Sequence, residues 1–192
     1  MKKGETGEGV ISYVDFPDKG IILLTDDERK VVLKGGIEGQ KVRYRVGKRR
    51  NDKYEARIEE VIEKAPTETR EPACKNYGLC GGCSYHTLPY EEQLKLKSSQ
   101  VKKMLDRVIS SDYEYEKILG SPTEWETRNK MEYAFGDSYK GGPMSLGLHK
   151  RGHFHDILFT DDCKIVNDDF NKILRCVFEH FNEAEISFYN KA

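Results

Sequence analysis

Three cysteines within ten residues, Cys74, Cys80 and Cys83, constrain this chain more than any other feature. They read C-x5-C-x2-C, with Gly78, Gly81 and Gly82 between them. Glycines let a backbone wrap closely around a bound group and turn its amides towards sulfur. Cys163 and Cys176 are the two candidates for a fourth ligand. Cys163 follows a predicted strand in Thr-Asp-Asp-Cys-Lys-Ile-Val, a good place for a distant ligand, whereas Cys176 falls slightly off the apolar face of a predicted helix and reads as an inert buried thiol. Four thiolates suit either a cubane iron–sulfur cluster or a structural zinc ion. Zinc sites favour two C-x2-C knuckles and only one is present, so spacing favours iron–sulfur narrowly; His86 is near enough to be weighed as a zinc ligand. Clustered thiols of this kind belong to a reducing compartment.

The rest of the composition agrees with a cytosolic setting. Charged residues make up 34% of 192, mean hydropathy is -0.73, and no apolar run approaches a membrane span. The first residues lead into no apolar signal-like stretch, so a cytoplasmic protein with no membrane partner is expected. Net charge is -1, yet Lys41 to Arg57 holds eight Lys and Arg against two acidic residues. A near-neutral whole argues against bulk polyanion binding, but a local basic strip can still dock phosphate.

Residues 1–64 read as a small all-β unit. Gly9 to Phe16, Ile21 to Leu24, Arg29 to Leu33, Lys41 to Val46 and Tyr54 to Ile62 are five predicted strands. Thr25-Asp26-Asp27-Glu28 is expected to close a hairpin, and Gly47 to Lys53 to form a basic turn. Val42, Tyr44 and Val46 share one face of their strand, with Lys41, Arg43 and Arg45 on the other. Five short strands with charged turns suggest a barrel of oligonucleotide-binding type. Residues 65–73 contain two prolines and read as a linker.

Residues 74–192 read as a mixed α/β (α+β) region. Its predicted elements are a helix from Pro89 to about Ser110 with a core stripe on Leu94, Val101, Met104, Leu105 and Val108, and strands at Arg128 to Phe135, Ser145 to His149 and Phe154 to Phe159. A last helix runs over Asp169 to Phe181, with Phe170, Ile173, Leu174, Val177 and Phe181 on one side.

Candidate nucleic-acid contacts are Lys48, Arg49 and Arg50 in the basic turn, with Tyr44 or Tyr54 as stacking surfaces. Arg128 and Lys130, alternating on one strand face, and Arg151 are further candidates. His149, Lys150, Arg151, His153 and His155 surround Gly152 without a carboxylate–histidine frame, which marks a polar β-turn first and an RNA contact second. His86 reads as a packing or hydrogen-bonding residue beside the cysteine loop.

These motifs together resemble a known family. Gly9-Val10, Tyr13-Val14-Asp15-Phe16-Pro17, Lys34-Gly35-Gly36 and Gly39-Gln40-Lys41-Val42 look like a TRAM domain, an RNA-binding barrel. Cys74, Cys80-Gly81-Gly82-Cys83, Tyr85-His86, Tyr90, Gln93 and Lys97 follow, then Arg128-Asn129-Lys130-Met131-Glu132 and Cys163. The order is similar to the N-terminal half of the S-adenosylmethionine-dependent RNA uracil-5-methyltransferases that modify 23S rRNA or tRNA. The resemblance implies a [4Fe–4S] cluster on Cys74, Cys80, Cys83 and Cys163, an RNA partner, and a monomer. It also implies a separate catalytic domain carrying the nucleophilic cysteine, the general base and the S-adenosylmethionine site. No glycine pair in this chain has the strand-to-helix setting of a nucleotide fold. No catalytic and no S-adenosylmethionine-binding residue is therefore expected here, and this chain alone should be inactive. Two other readings are a stand-alone, non-enzymatic RNA-binding module with a structural metal, and an iron–sulfur redox or sensor protein.

Overall fold

The structure is a computed structural model that describes residues 1–25 and 28–188. Asp26 and Asp27 of the expected hairpin loop lie outside the described residues. The chain divides into two compact units, Met1–Arg70 with Thr87–Gly120, and Glu71–His86 with the chain from Ser121 onward.

The first unit contains six strands: β1 (Thr6–Val10), β2 (Tyr13–Asp15), β3 (Lys19–Leu23), β4 (Lys30–Lys34), β5 (Lys41–Arg49) and β6 (Lys53–Glu63). They form one sheet in the order β1-β5-β6-β4-β3-β2. All pairs are antiparallel except β4 with β6. The two edge strands are neighbours in sequence, so the sheet curls round until one continuous stretch serves both edges, giving a barrel-like unit. The predicted strand at Gly9 to Phe16 is split, because Ile11 donates its N–H to Gln40 while Ser12 donates to Ile21 on the opposite side. Its core is Ile11, Val14, Ile22, Val31, Leu33, Val42, Tyr44, Val46 and Tyr54. The strict alternation along β5 therefore sorts its side chains as expected.

Residues 65–70, expected to be part of a linker, are pinned to this unit. The Glu68 carboxylate accepts from the Ala65 N–H at 2.7 Å, Gln40 Nε2 at 2.8 Å and the Thr87 hydroxyl at 2.7 Å. Helix α1 (Tyr90–Asp106) also belongs here rather than with the cysteines. Leu96 packs on the barrel core, Lys103 lies 5.2 Å over the Tyr13 ring, and Arg107 pairs with Asp15 at 3.6 Å. The stripe expected to be core is largely outside it: Val101, Met104 and Val108 are exposed, and the one fully buried residue of the helix is Gln100.

The second unit carries β7 (Ala134–Asp137), β8 (Met144–Lys150), β9 (His153–Phe159) and α2 (Asp168–Glu183). The β7–β8 and β8–β9 pairs are antiparallel. At Gly147 a Cβ would stand 2.1 Å from the Leu158 carbonyl oxygen, so only glycine allows β8 and β9 to approach this closely. Helix α2 is capped by Asn167, whose side chain accepts from the Asp169 N–H, and it packs Phe178 on Phe159 and Phe181 on Phe135. Its inner face is Phe170, Asn171, Leu174, Val177, Phe178 and Phe181; Ile173, expected inside, is 62% exposed. Arg128 to Tyr133 is not a strand. Only Arg128 bridges to Val166, and regular pairing begins at Ala134.

Candidate metal centre and nucleic-acid interface

The cysteine loop is a series of tight turns. The Tyr77 N–H donates to Cys74 O, the Leu79 and Cys80 N–H groups both donate to Asn76 O, and Gly78 takes a φ of +82°. The Gly82 N–H already donates to the Cys80 sulfur at 3.3 Å. Cys163 arrives from the segment between β9 and α2. Asn171, on the buried face of α2, grips it by both backbone groups, accepting from the Cys163 N–H at 3.0 Å and donating to its carbonyl at 3.2 Å.

Cys74, Cys80, Cys83 and Cys163 are all half-buried and line one cavity with His86 and Thr160. Burial, followed by the negative charge of Cys163, Cys80 and Cys74, pushes the Cys83 thiol up to about 11, against a downward pull from Arg128. Burial also raises the Cys163 thiol. Both shifts favour neutral thiols when no cation is present. Among the described residues no three His, Cys, Asp or Glu side chains are arranged to hold a metal ion, and the space between the thiols is only about 20 Å3. A metal group would thus require the thiol side chains to turn outward around it. The donor set itself is suited to one: four thiols, no carboxylate in the lining, and an amide already aimed at sulfur.

The neighbours of this cavity settle several expectations. Cys176 is on α2 outside the cavity, as expected, but it is exposed and not buried. His86 packs as expected, stacked on Tyr77 at 5.2 Å and edge-on to Trp125 at 4.9 Å. Arg128 and Lys130 do not share a strand face, yet both line a second cavity of about 540 Å3 beside Cys80, Gly81 and Gly82. Arg151 sits in the turn between β8 and β9 and braces the cysteine loop, its N–H on Leu79 O at 2.7 Å and its guanidinium on Cys83 O at 3.0 Å.

In the first unit the basic strip is largely neutralised. Arg43 pairs with Glu8 at 2.9 Å and with Glu60, Arg45 with Glu59 at 2.5 Å, and Lys41 with Glu63 at 3.4 Å. These carboxylates raise the Arg43 and Arg45 guanidinium groups further above neutrality. The positive charge left over is at the β5–β6 tip. Lys48 and Arg49 extend β5 and Arg50 begins the turn, which is shorter than the expected Gly47 to Lys53. Among the described residues Lys48 and Arg49 make no ion pair, while Arg50 reaches Glu55 at 3.4 Å. Tyr44 and Tyr54, expected as stacking surfaces, are 2% and 0% exposed and belong to the core. They cannot meet a base.

Sequence reasoning missed Asn171. Its one signal was position: a polar residue between Phe170 and Leu174 on the apolar stripe of α2, where an unpaired amide would be costly.

No family model matches the chain. It is 42% identical over 189 residues to an uncharacterized RNA methyltransferase of Clostridium acetobutylicum, covering 98% of this chain and 41% of that protein. The chain is a relative of RNA methyltransferases. An uncharacterized RNA methyltransferase of Caldanaerobacter subterraneus is 42% identical over 191 residues, 100% of this chain and 42% of its own length. The 23S rRNA (uracil(1939)-C(5))-methyltransferase RlmD of Pseudomonas putida is 32% identical over 157 residues, 82% of this chain and 34% of its own. The chain thus spans about two fifths of the length of the first two of these curated RNA methyltransferases. Among the described residues no helix is long and apolar enough to cross a membrane.

Proposed function

We propose that this chain is the RNA-holding, cluster-bearing part of a cytoplasmic, monomeric RNA uracil-5-methyltransferase that acts on rRNA or tRNA with S-adenosylmethionine. What carries the reading is a conjunction: similarity to RNA methyltransferases extends across both units, and the distant Cys163 joins the C-x5-C-x2-C loop at one cavity. The barrel-like unit, with its resemblance to a TRAM domain, holds RNA through the tip at Lys48, Arg49 and Arg50. The second unit adds Arg128 and Lys130. No residue of this chain is assigned to methyl transfer, which belongs to the longer protein, as does the S-adenosylmethionine site.

Cys74, Cys80, Cys83 and Cys163 are the ligands we assign to a [4Fe–4S] cluster. When bound, that cluster supplies a covalent tie between the loop at residues 74–83 and the segment at Cys163. The protein prepares the tie: Asn171 fixes the Cys163 backbone, Arg151 braces the Cys83 carbonyl, and Gly82 offers its N–H to sulfur. The role is structural, holding together a small unit with few fully buried apolar residues.

Protein purified without oxygen should carry iron and acid-labile sulfide. Cys163→Ser should lower both, while Cys176→Ser should leave both unchanged. Stoichiometric zinc with no sulfide would refute the cluster assignment and leave the RNA assignment standing.

A further inference from the structure

We propose that the paired rings of His149 and Phe154, with the cavity beside them, form a seat for one unpaired nucleotide of RNA. The proposal rests on the RNA reading above and gives it a specific place on the second unit.

Phe154 is 76% exposed on β9, among the most exposed large apolar residues of the chain. Its ring lies parallel to that of His149 on β8, 4.9 Å away and inclined by 10°, with His155 edge-on at 5.5 Å. A stacked pair with a water-exposed outer ring is a flat apolar platform, the surface on which bases stack in single-strand binding proteins. Burial in this protein gives the ring no purpose, since the core of the unit is formed by Leu146, Ile157, Val166 and Leu174.

The platform is fixed in place. The turn after His149 is tied to the cysteine loop through Arg151, and Lys150 bridges to Cys80. The rings therefore sit on an anchored hairpin, and less ordering is needed on binding.

His149 also lines the cavity of about 540 Å3 that holds Arg128 and Lys130. That volume falls in the range of small-molecule sites. Its wall has apolar Met131 and Leu148 for a sugar or base edge, and the two cations for a phosphate. Lys130 shares its charge with Glu132 at 2.8 Å, so Arg128 is the stronger phosphate partner. The combination of ring platform, cation and adjoining hollow matches a nucleotide whose base is free of a duplex, because paired bases have no open face to offer.

The test is fluorescence anisotropy of the whole chain with a labelled oligouridine 12-mer, and with an RNA duplex of equal length, across a salt series. Phe154→Ala should weaken 12-mer binding roughly ten-fold, in line with the loss of one base stack. Its salt slope should be unchanged, because no phosphate contact is removed. Phe154→Trp should restore affinity, and its indole emission should be quenched by the 12-mer. Phe154→Leu should behave like Ala, since an apolar side chain without a π-face cannot stack. The duplex should be insensitive to all three changes. If the wild-type chain binds the 12-mer and Phe154→Ala or Phe154→Leu binds it equally well, the seat is refuted while the RNA reading survives, and the exposed ring is left for a protein contact. If the wild-type chain binds neither RNA, both fall.

Discussion

Asn171→Ala tests how the fourth cysteine is held. Asn171 is 4% exposed and holds the backbone of Cys163 by two hydrogen bonds. Replacing it with alanine deletes both and leaves a half-buried N–H and a carbonyl without this partner, beside a cavity of about 280 Å3 that Cys163 and Asn171 both line. A donor or acceptor left without a partner costs about 1–3 kcal/mol, and the carbonyl, with two lone pairs, is the easier one to satisfy. Because water in that cavity can reach the freed groups, the expected loss for the metal-free protein is about 1–2 kcal/mol, read as a lower urea midpoint at unchanged slope for the transition of the second unit. Asn171→Asp keeps the acceptor for the Cys163 N–H but loses the donor, so it should lie between the two. A second readout is local. The Cys163 thiol is half-buried, and its alkylation rate should rise in Asn171→Ala, while that of Cys176, already exposed, stays the same. A loss below about 0.5 kcal/mol with no change at Cys163 would show that the segment is held without this side chain, and the reasoning would be wrong.

Two further outcomes follow from charge. In the metal-free protein Cys83 stays protonated up to about 11 against an ordinary value of 9.0. Between those values the unfolded chain has lost a proton that the folded chain keeps, so stability falls as pH rises from about 9 to 11. Cys83→Ser should remove that component of the urea midpoint's pH dependence, and an unchanged profile would contradict the burial argument. At the β5–β6 tip, Lys48, Arg49 and Arg50 all changed to Ala should weaken RNA binding and reduce the salt slope by about 2, at roughly 0.7 per phosphate contact on a single strand. Arg43→Ala, already paired with Glu8 and Glu60, should leave that slope unchanged, and an equal effect of the two variants would rule out the tip as the contact.

Local pattern was enough to read most strands and failed where long-range contacts decide. The alternation from Lys41 to Val46 sorts into buried and exposed residues because neighbouring residues in a strand face opposite sides whatever lies beyond. The division into units was harder. The helix after Pro89 looks like part of the cysteine region by sequence order, yet Leu96, Lys103 and Arg107 attach it to the barrel-like unit. Its apolar positions Val101, Met104 and Val108 carry a helical period, but period shows only that a face exists, not that it is covered. The Arg128 to Tyr133 segment has alternating character and no ladder, because its contact with Val166 is a single bridge.

The candidate site divides the same way. Cysteine spacing marked the loop, and the position after a predicted strand favoured Cys163 over Cys176. The grips on them, Asn171 and Arg151, were invisible as such because their partners lie 8 and 68 residues away and are backbone groups, which leave no trace in side-chain pattern. Charge counting misled in one direction: the excess at Lys41 to Arg57 looked like a single basic face. Strand pairing sets Arg43 opposite both Glu8 and Glu60, so the sheet face is spent on itself. What a polyanion can reach is therefore not the densest run of cations but the positions where the ladder ends at Lys48 and Arg49. Arg151 is engaged in the same way: its N–H is held by Leu79 O and its guanidinium by Cys83 O, within the hairpin that carries His149 and Phe154.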